Sequence, residues 1–199
     1  MRYYTRQRMM MSMVGYDRLN YISNEGSNAN NFPYFNLGFA VTPQTKIVID
    51  MVQVESVSSN EMIFGVYSSL FLRARNTTVR LNRTNSNTFT VNADVRTRAK
   101  ITIDKNEILV EKNGTQYRTT HNLGNNFVSS GNVSLFFGTG YQTNWNPTKW
   151  RVYAFEAWEG DTLIRNLVAA RNKITGVIGA MDLANNKFYA PVRGAFRGG

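Results

Sequence analysis

The 199-residue chain is predicted to be all-β, a two-sheet antiparallel sandwich or jelly roll. Three observations predict this. Short apolar runs closed by polar turns recur along the chain, at the spacing of about 8–12 residues expected of such domains. Several of them alternate apolar and polar residues with a period of two, the pattern of a half-buried strand. No window sustains a helical period over three turns, and the abundant Asn, Thr and Ser favour turns and strands over helix interiors.

Taken in order, KIVIDMVQVESV (46–57) places Ile47, Ile49 and Met51 on one parity. EMIFGVYSS (61–69), LFLRAR (70–75), TVRLNR (78–83) and TFTVNA (88–93) read as further strands. RAKITIDK (98–105) alternates Ala99, Ile101 and Ile103 with polar neighbours. EILVEK and TQYRTT flank Asn113-Gly114, the strongest short hairpin signal in the chain. NVSLFFGTG (132–140) and KWRVYAFEAWEG (149–160) follow, and Gly160-Asp161 makes the next turn. TLIRNLVAARN (162–172) is the best helix candidate, with Leu163, Ile164 and Leu167 on one face. It reads equally well as a strand plus a loop. No linker divides the chain, so residues 16–199 are expected to form one domain and residues 1–15 a separate N-terminal arm.

Composition narrows the chemistry. The net charge is +10, from 23 basic and 13 acidic residues, mostly dispersed, which fits either an anionic partner or a solvated basic surface. The absence of cysteine excludes disulfides, thiolate nucleophiles and Cys-based zinc sites. The single histidine, His121, excludes a multi-histidine metal site. No apolar run reaches the roughly 18 residues of a membrane-spanning helix. The opening MRYYTRQRMMMSMVGY meets the rules for a signal peptide only in part, since Ser12 interrupts a short apolar run and no A-x-A site follows.

Catalytic patterns are missing. A glycosidase of this architecture needs two carboxylates on one face, about 5–5.5 Å apart for a retaining mechanism. Glu156 and Glu159 have opposite strand parity, Asp161 sits in a turn, and Asp50 and Glu55 are also of opposite parity. His121 lies in the loop-like HNLGNN with no G-x-S-x-G elbow, so a surface histidine is expected. GTGYQTNW (138–145) lacks the lysine and helix of a phosphate loop. Asp17, Asp94 and Asp104 are isolated acids without the oxygen cluster that calcium requires. No catalytic residue, metal or cofactor is expected.

Two binding surfaces are candidates. Tyr141, Trp145 and Trp150, in and beside YQTNWNPTKW, could stack on a sugar while Asn and Gln read hydroxyls; packing over the end of the sandwich is the competing reading. The arm combines Arg2, Tyr3, Tyr4, Arg6 and Arg8 with Met9, Met10 and Met11. Methionine adapts to irregular grooves, and arginine pairs with interface carboxylates. Three arginines give few phosphate contacts, which argues against nucleic acid as the partner.

The C-terminal stretch EGDTLIRNLVAARNKITGVIGAMDLANNKFYAPVRGAF resembles the ending of a family of phage and prophage virion-associated domains, T-L-V-R-x-F-V-P followed by G-x-x-G-x-Y-D-x-x-N-x-K-F-Y-x-N. Thr162, Leu163, Arg165, Gly176, Gly179, Asp182, Asn186, Lys187, Phe188 and Tyr189 carry the likeness. LNYISNEGSN (19–28) and YFNLGF (34–39) resemble the family's opening L-x-Y-I-x-S-x-G-x-Q-Y-I-x-T-G, so the likeness spans about residues 19–196. Met181 replaces a usual tyrosine, Ala169 a usual proline, and NANNFP (28–33) lengthens the first loop. The C-terminal motif also has a purely structural explanation: glycines for tight turns and close packing, Asp182 capping its own turn, and Asn185-Asn186 in a hairpin. The resemblance implies a concanavalin A-like jelly roll with a basic, Met-rich arm, located in a virion. It implies a non-enzymatic structural protein, a capsid decoration protein or a head- or tail-fibre subunit, docked by the arm to other virion proteins and forming a homo-oligomer. The alternative is a lectin-like receptor-binding module that recognises a host-surface glycan.

Overall fold

The computed structural model describes residues 14–25, 33–55, 62–66, 69–75, 77–83, 88–135 and 149–199, without the side chains of residues 62, 75 and 83. Among them every regular element is a strand. The first are β1 (Tyr16–Arg18), β2 (Ile22–Ser23), β3 (Phe35–Asn36), β4 (Thr45–Glu55), β5 (Met62–Val66) and β6 (Leu70–Arg75). Then come β7 (Thr78–Arg83), β8 (Thr88–Val91), β9 (Ala99–Asp104), β10 (Glu107–Lys112), β11 (Thr115–Thr120) and β12 (Ser134–Leu135). The last are β13 (Lys149–Glu159), β14 (Thr162–Asn172), β15 (Ile178–Asp182), β16 (Lys187–Tyr189) and β17 (Arg197–Gly198).

Two antiparallel sheets result, the jelly-roll sandwich that the strand spacing predicts. The larger runs β11-β10-β9-β4-β13-β14-β15-β16, with β1 added to β14 and with β2 and β17 added beside β13. The smaller runs β3-β12-β5-β6-β7-β8. Ile47, Ile49 and Met51 of β4 and Ala99, Ile101 and Ile103 of β9 are buried, as their alternation requires. They share one core with Phe64, Leu72, Leu81 and Leu135 of the small sheet. The Asn113-Gly114 turn joins β10 to β11 with φ of 49° and 76°, the left-handed pair that a two-residue hairpin needs.

Residues 162–172 are a continuous strand, neither a helix nor a strand that gives way to a loop. Between Leu167 and Ala170 both of its faces are covered, which removes the alternation that would have identified it. Leu167 and Ala169 enter the main core. Val168 and Ala170 join Met181 in a second, outer cluster capped by Tyr16, Leu183 and Phe188, where Tyr16 stacks on Phe188 at 4.9 Å. Met181 serves there as an apolar filler.

The C-terminal motif is a structural clamp. Asp182 is fully buried and accepts hydrogen bonds from the Asn166 and Ala184 amides and from Asn185 Nδ2. Arg165 lies 3.8 Å from it and donates through Nε and Nη2 to the Leu37 carbonyl, tying β14 to the segment after β3. Gly179 has no room for a side chain, because a Cβ there would meet the Tyr189 carbonyl of β16.

Three bulges interrupt the central strands. The one at Tyr153 matters most: Val152 faces Met51 and Ala154 faces Asp50, leaving Tyr153 unpaired. The buried positions of β13 therefore change from Trp150 and Val152 to Phe155 and Ala157.

Candidate functional site

Trp150 lies inside the sandwich, 1% exposed, with its amide bonded to Asn24 Oδ1. Its ring offers no face to a sugar, which corrects its reading as a glycan-binding residue: it stands on the inward parity of β13. Tyr141 and Trp145 lie outside the described residues, as do Arg2, Tyr3, Tyr4, Arg6, Arg8, Met9, Met10 and Met11 of the arm.

The acids are mostly occupied. Glu159 accepts from the hydroxyls of Thr42 (2.6 Å) and Thr45 (2.8 Å), while Glu156 sits on the outer parity of the same strand. Asp94 is gripped by Arg96 through Nε, Nη2 and the backbone amide, which holds its carboxyl well below the usual range against a small opposing effect of burial. Asp17 pairs with Lys173 at 3.5 Å and Asp104 with Lys46 at 3.8 Å. Among the described residues no three His, Cys, Asp or Glu side chains gather into a metal-binding group.

His121 is not the surface residue its loop-like setting suggests. It is only 5% exposed, and its Nε2 lies 2.7 Å from the Asp104 carbonyl, with Phe89 at 5.7 Å between ring centroids. Burial pushes its pKa down from 6.5, opposed by the carbonyls of Asp104 and Glu107 and by the Asp104 charge. The neutral ring donates from Nε2 to that carbonyl, pinning the turn between β9 and β10.

That turn is one wall of a depression of about 400 Å³ at one end of the large sheet. Beyond the Tyr153 bulge, Ala154, Glu156 and Trp158 share the outer face of β13. Trp158 stands opposite Lys46 of β4, and the indole becomes one side of the depression. Gln44, Lys46, Asp104, Lys105 and Asp161 supply the rest of its polar lining. Hydrogen bonds fix each wall. The Gly160 amide donates to the Gln44 carbonyl at 3.0 Å, joining the 43–44 turn to the 160–161 turn. Gly160 takes a φ of 55°, which suits glycine in this two-residue connection. The Thr45 amide donates to the Thr42 carbonyl, the Thr42 amide to Thr45 Oγ1, and both hydroxyls to Glu159. The Lys105 amide donates to Asp104 Oδ1.

An aromatic surface beside an amide, two ammonium groups and two carboxylates can take the C–H face of a sugar and bond its hydroxyls. Sequence reasoning missed Trp158. Parity counted straight from Trp150 puts both indoles on one face, and only the Tyr153 bulge separates them.

No family model matches the chain, and no curated protein matches it. Among solved structures it is similar to alginate lyase AlgAT5 from polysaccharide lyase family 7, at 13% identity and a TM-score of 0.36, over 63% of this chain and 62% of that one. It is also similar to domains LG4-5 of the mouse laminin alpha1 chain, at 11% identity and a TM-score of 0.42, over 81% of this chain and 46% of that one. The chain thus spans less than two thirds of either. Such likenesses concern architecture alone, and the sandwich rests on its own strand pairing.

Proposed function

We propose that this chain is a non-catalytic, lectin-like module that binds a cell-surface glycan and is carried on a phage particle by its N-terminal arm. The observation that supports glycan binding is the Trp158 depression, whose walls are held by hydrogen bonds before any ligand arrives. Preorganised polar groups around an aromatic surface lower the ordering cost of binding. The absence of catalysis is part of the proposal: Glu159, the acid of β13 nearest this end of the sheet, is engaged by two threonine hydroxyls. Screening the protein on a glycan panel tests the reading. Binding that falls at least tenfold in Trp158→Ala supports it, a loss of about 1.4 kcal/mol. Binding that ignores this substitution, or sugar release lost in Glu156→Gln, sinks it.

Attachment to a virion, with other virion proteins as partners and a homo-oligomeric state, is the accompanying proposal. Its support is the sequence resemblance, together with the arginines and methionines of residues 1–13. Particles assembled with protein lacking those residues test it: a full complement of the shortened protein would place the contact on the sandwich instead.

A further inference from the structure

A second depression, of about 440 Å³, lies toward the other end of the same outer face. Strand divergence creates it. β13 pairs with β14 as far as Ala154 opposite Val168. At the Tyr153 bulge β13 turns to pair with β2 through Val152 and Arg151, while β14 continues beside β1, with Ala170 opposite Arg18. The depression sits where the strands part. Ala154 and Val168 give it an apolar floor. Tyr153 lines one side, with the Arg98 guanidinium stacked 3.9 Å from its ring centroid. Asp50 takes Nε and Nη2 of Arg98 at 2.8 and 2.6 Å, which fixes the guanidinium plane and leaves Nη1 without a hydrogen bond among the described residues. Asn20 and Arg18 complete the lining. Arg18 is exposed and forms no ion pair among the described residues.

We infer that this depression is a second subsite of the glycan site and that it reads a carboxylate, so that the ligand is an acidic polysaccharide carrying carboxylated sugars. The inference rests on the glycan reading of the Trp158 depression and adds the ligand's charge. Arg18 supplies a planar donor fork suited to a carboxylate, and Arg98 supplies a second, pre-aligned donor. The Ala154–Val168 floor and the Tyr153 ring suit the C–H surface of the same sugar. Ala154 and Trp158 are four residues apart on one strand, about 13 Å, so one oligosaccharide can span both depressions. On this face Lys46 pairs with Asp104 and Lys100 with Glu111, each at 3.8 Å. A local pair of guanidinium groups, Arg18 and Arg98, fits a ligand with spaced carboxylates better than a nucleic acid with a charge at every step.

Calorimetric titration of the full chain with oligogalacturonate, and with the same oligomers after carboxyl reduction, tests this. The expected result is about a tenfold preference for the uronate, the effect of one charge-assisted hydrogen bond. Arg18→Gln should remove that preference while the protein melts as the wild type does, and Trp158→Ala should weaken both ligands. Equal wild-type affinities that still depend on Trp158 would overturn the acidic subsite and leave the glycan reading intact. Failure to bind either oligomer also overturns the acidic subsite, and the neutral members of the glycan panel then decide the broader reading separately. Arg18-dependent binding of a single-stranded oligonucleotide without binding of the uronate would replace the glycan by nucleic acid.

Discussion

Asp182 and His121 show how single buried polar groups hold this molecule and its site in shape. Asp182 serves three donors and neighbours Arg165, so Asp182→Ala leaves several buried groups without their acceptor at once. A loss of about 3 kcal/mol in denaturant unfolding is expected, the usual cost of breaking a buried charged network. His121 predicts a pH dependence. Its folded-state pKa lies below 6.5, so as pH falls the unfolded chain takes up the proton first. Stability should therefore decline below about pH 6.5 and level off once the folded form is protonated as well. Glu25, depressed chiefly by its hydrogen bond from Arg151, contributes a separate loss that begins only below 4.5. Melting temperatures followed from pH 7 to pH 5 should fall in the wild type and stay flatter in His121→Gln. Equal slopes would remove His121 as the cause. The turn-capping part of the Asp182 role was legible in the sequence, but that of His121 was not: a lone histidine in a polar loop carries no sign that its partner is a carbonyl 17 residues away.

Within the elements, the bulges decide more than the propensities do. The alternation in β4 and β9 is regular, so the sequence placed their buried residues correctly. In β13 one unpaired residue, Tyr153, reverses the parity, burying Trp150 and leaving Trp158 on the outer face. β14 misled for another reason: Val168 and Ala170 are buried on the side opposite Leu167 and Ala169, so no period of two survives. Close packing between β15 and β16 gives the element-scale prediction. Gly179→Ala would drive a methyl group into the Tyr189 carbonyl, and backbone cannot yield as a flexible side chain does. A loss of about 1–3 kcal/mol is expected, the range for overpacked sites. A neutral substitution would mean that β16 shifts freely at that edge. Gly176→Ala offers a contrast, since its open surroundings leave only the strain of a φ of 70°.

For the whole molecule, the boundary between arm and domain can be tested by truncation. Gly15 accepts a hydrogen bond from the Lys173 amide through its carbonyl, and Tyr16–Arg18 pair with β14. Removing residues 1–13 should therefore leave a cooperative β-rich melt close to that of the full chain. Removing residues 1–18 should lower the melting temperature by several degrees, because the Tyr16–Phe188 stack and the β1 hydrogen bonds go with it. Identical melts for both truncations would show that β1 adds nothing to the domain.

The sequence by itself determined the class of fold, the Asn113-Gly114 hairpin, the inward faces of β4 and β9 and the structural use of the C-terminal motif. Each depends on local periodicity or local turn chemistry, which a chain carries before it folds. Only the tertiary structure decided which tryptophan is outward, that His121 is buried, that residues 162–172 are a strand, and that Arg18 and Tyr153 line one depression. Those outcomes depend on bulges, on second layers of packing and on strands that diverge. They follow from pairing between residues far apart in the chain, where a shift of one residue turns every later side chain to the opposite face.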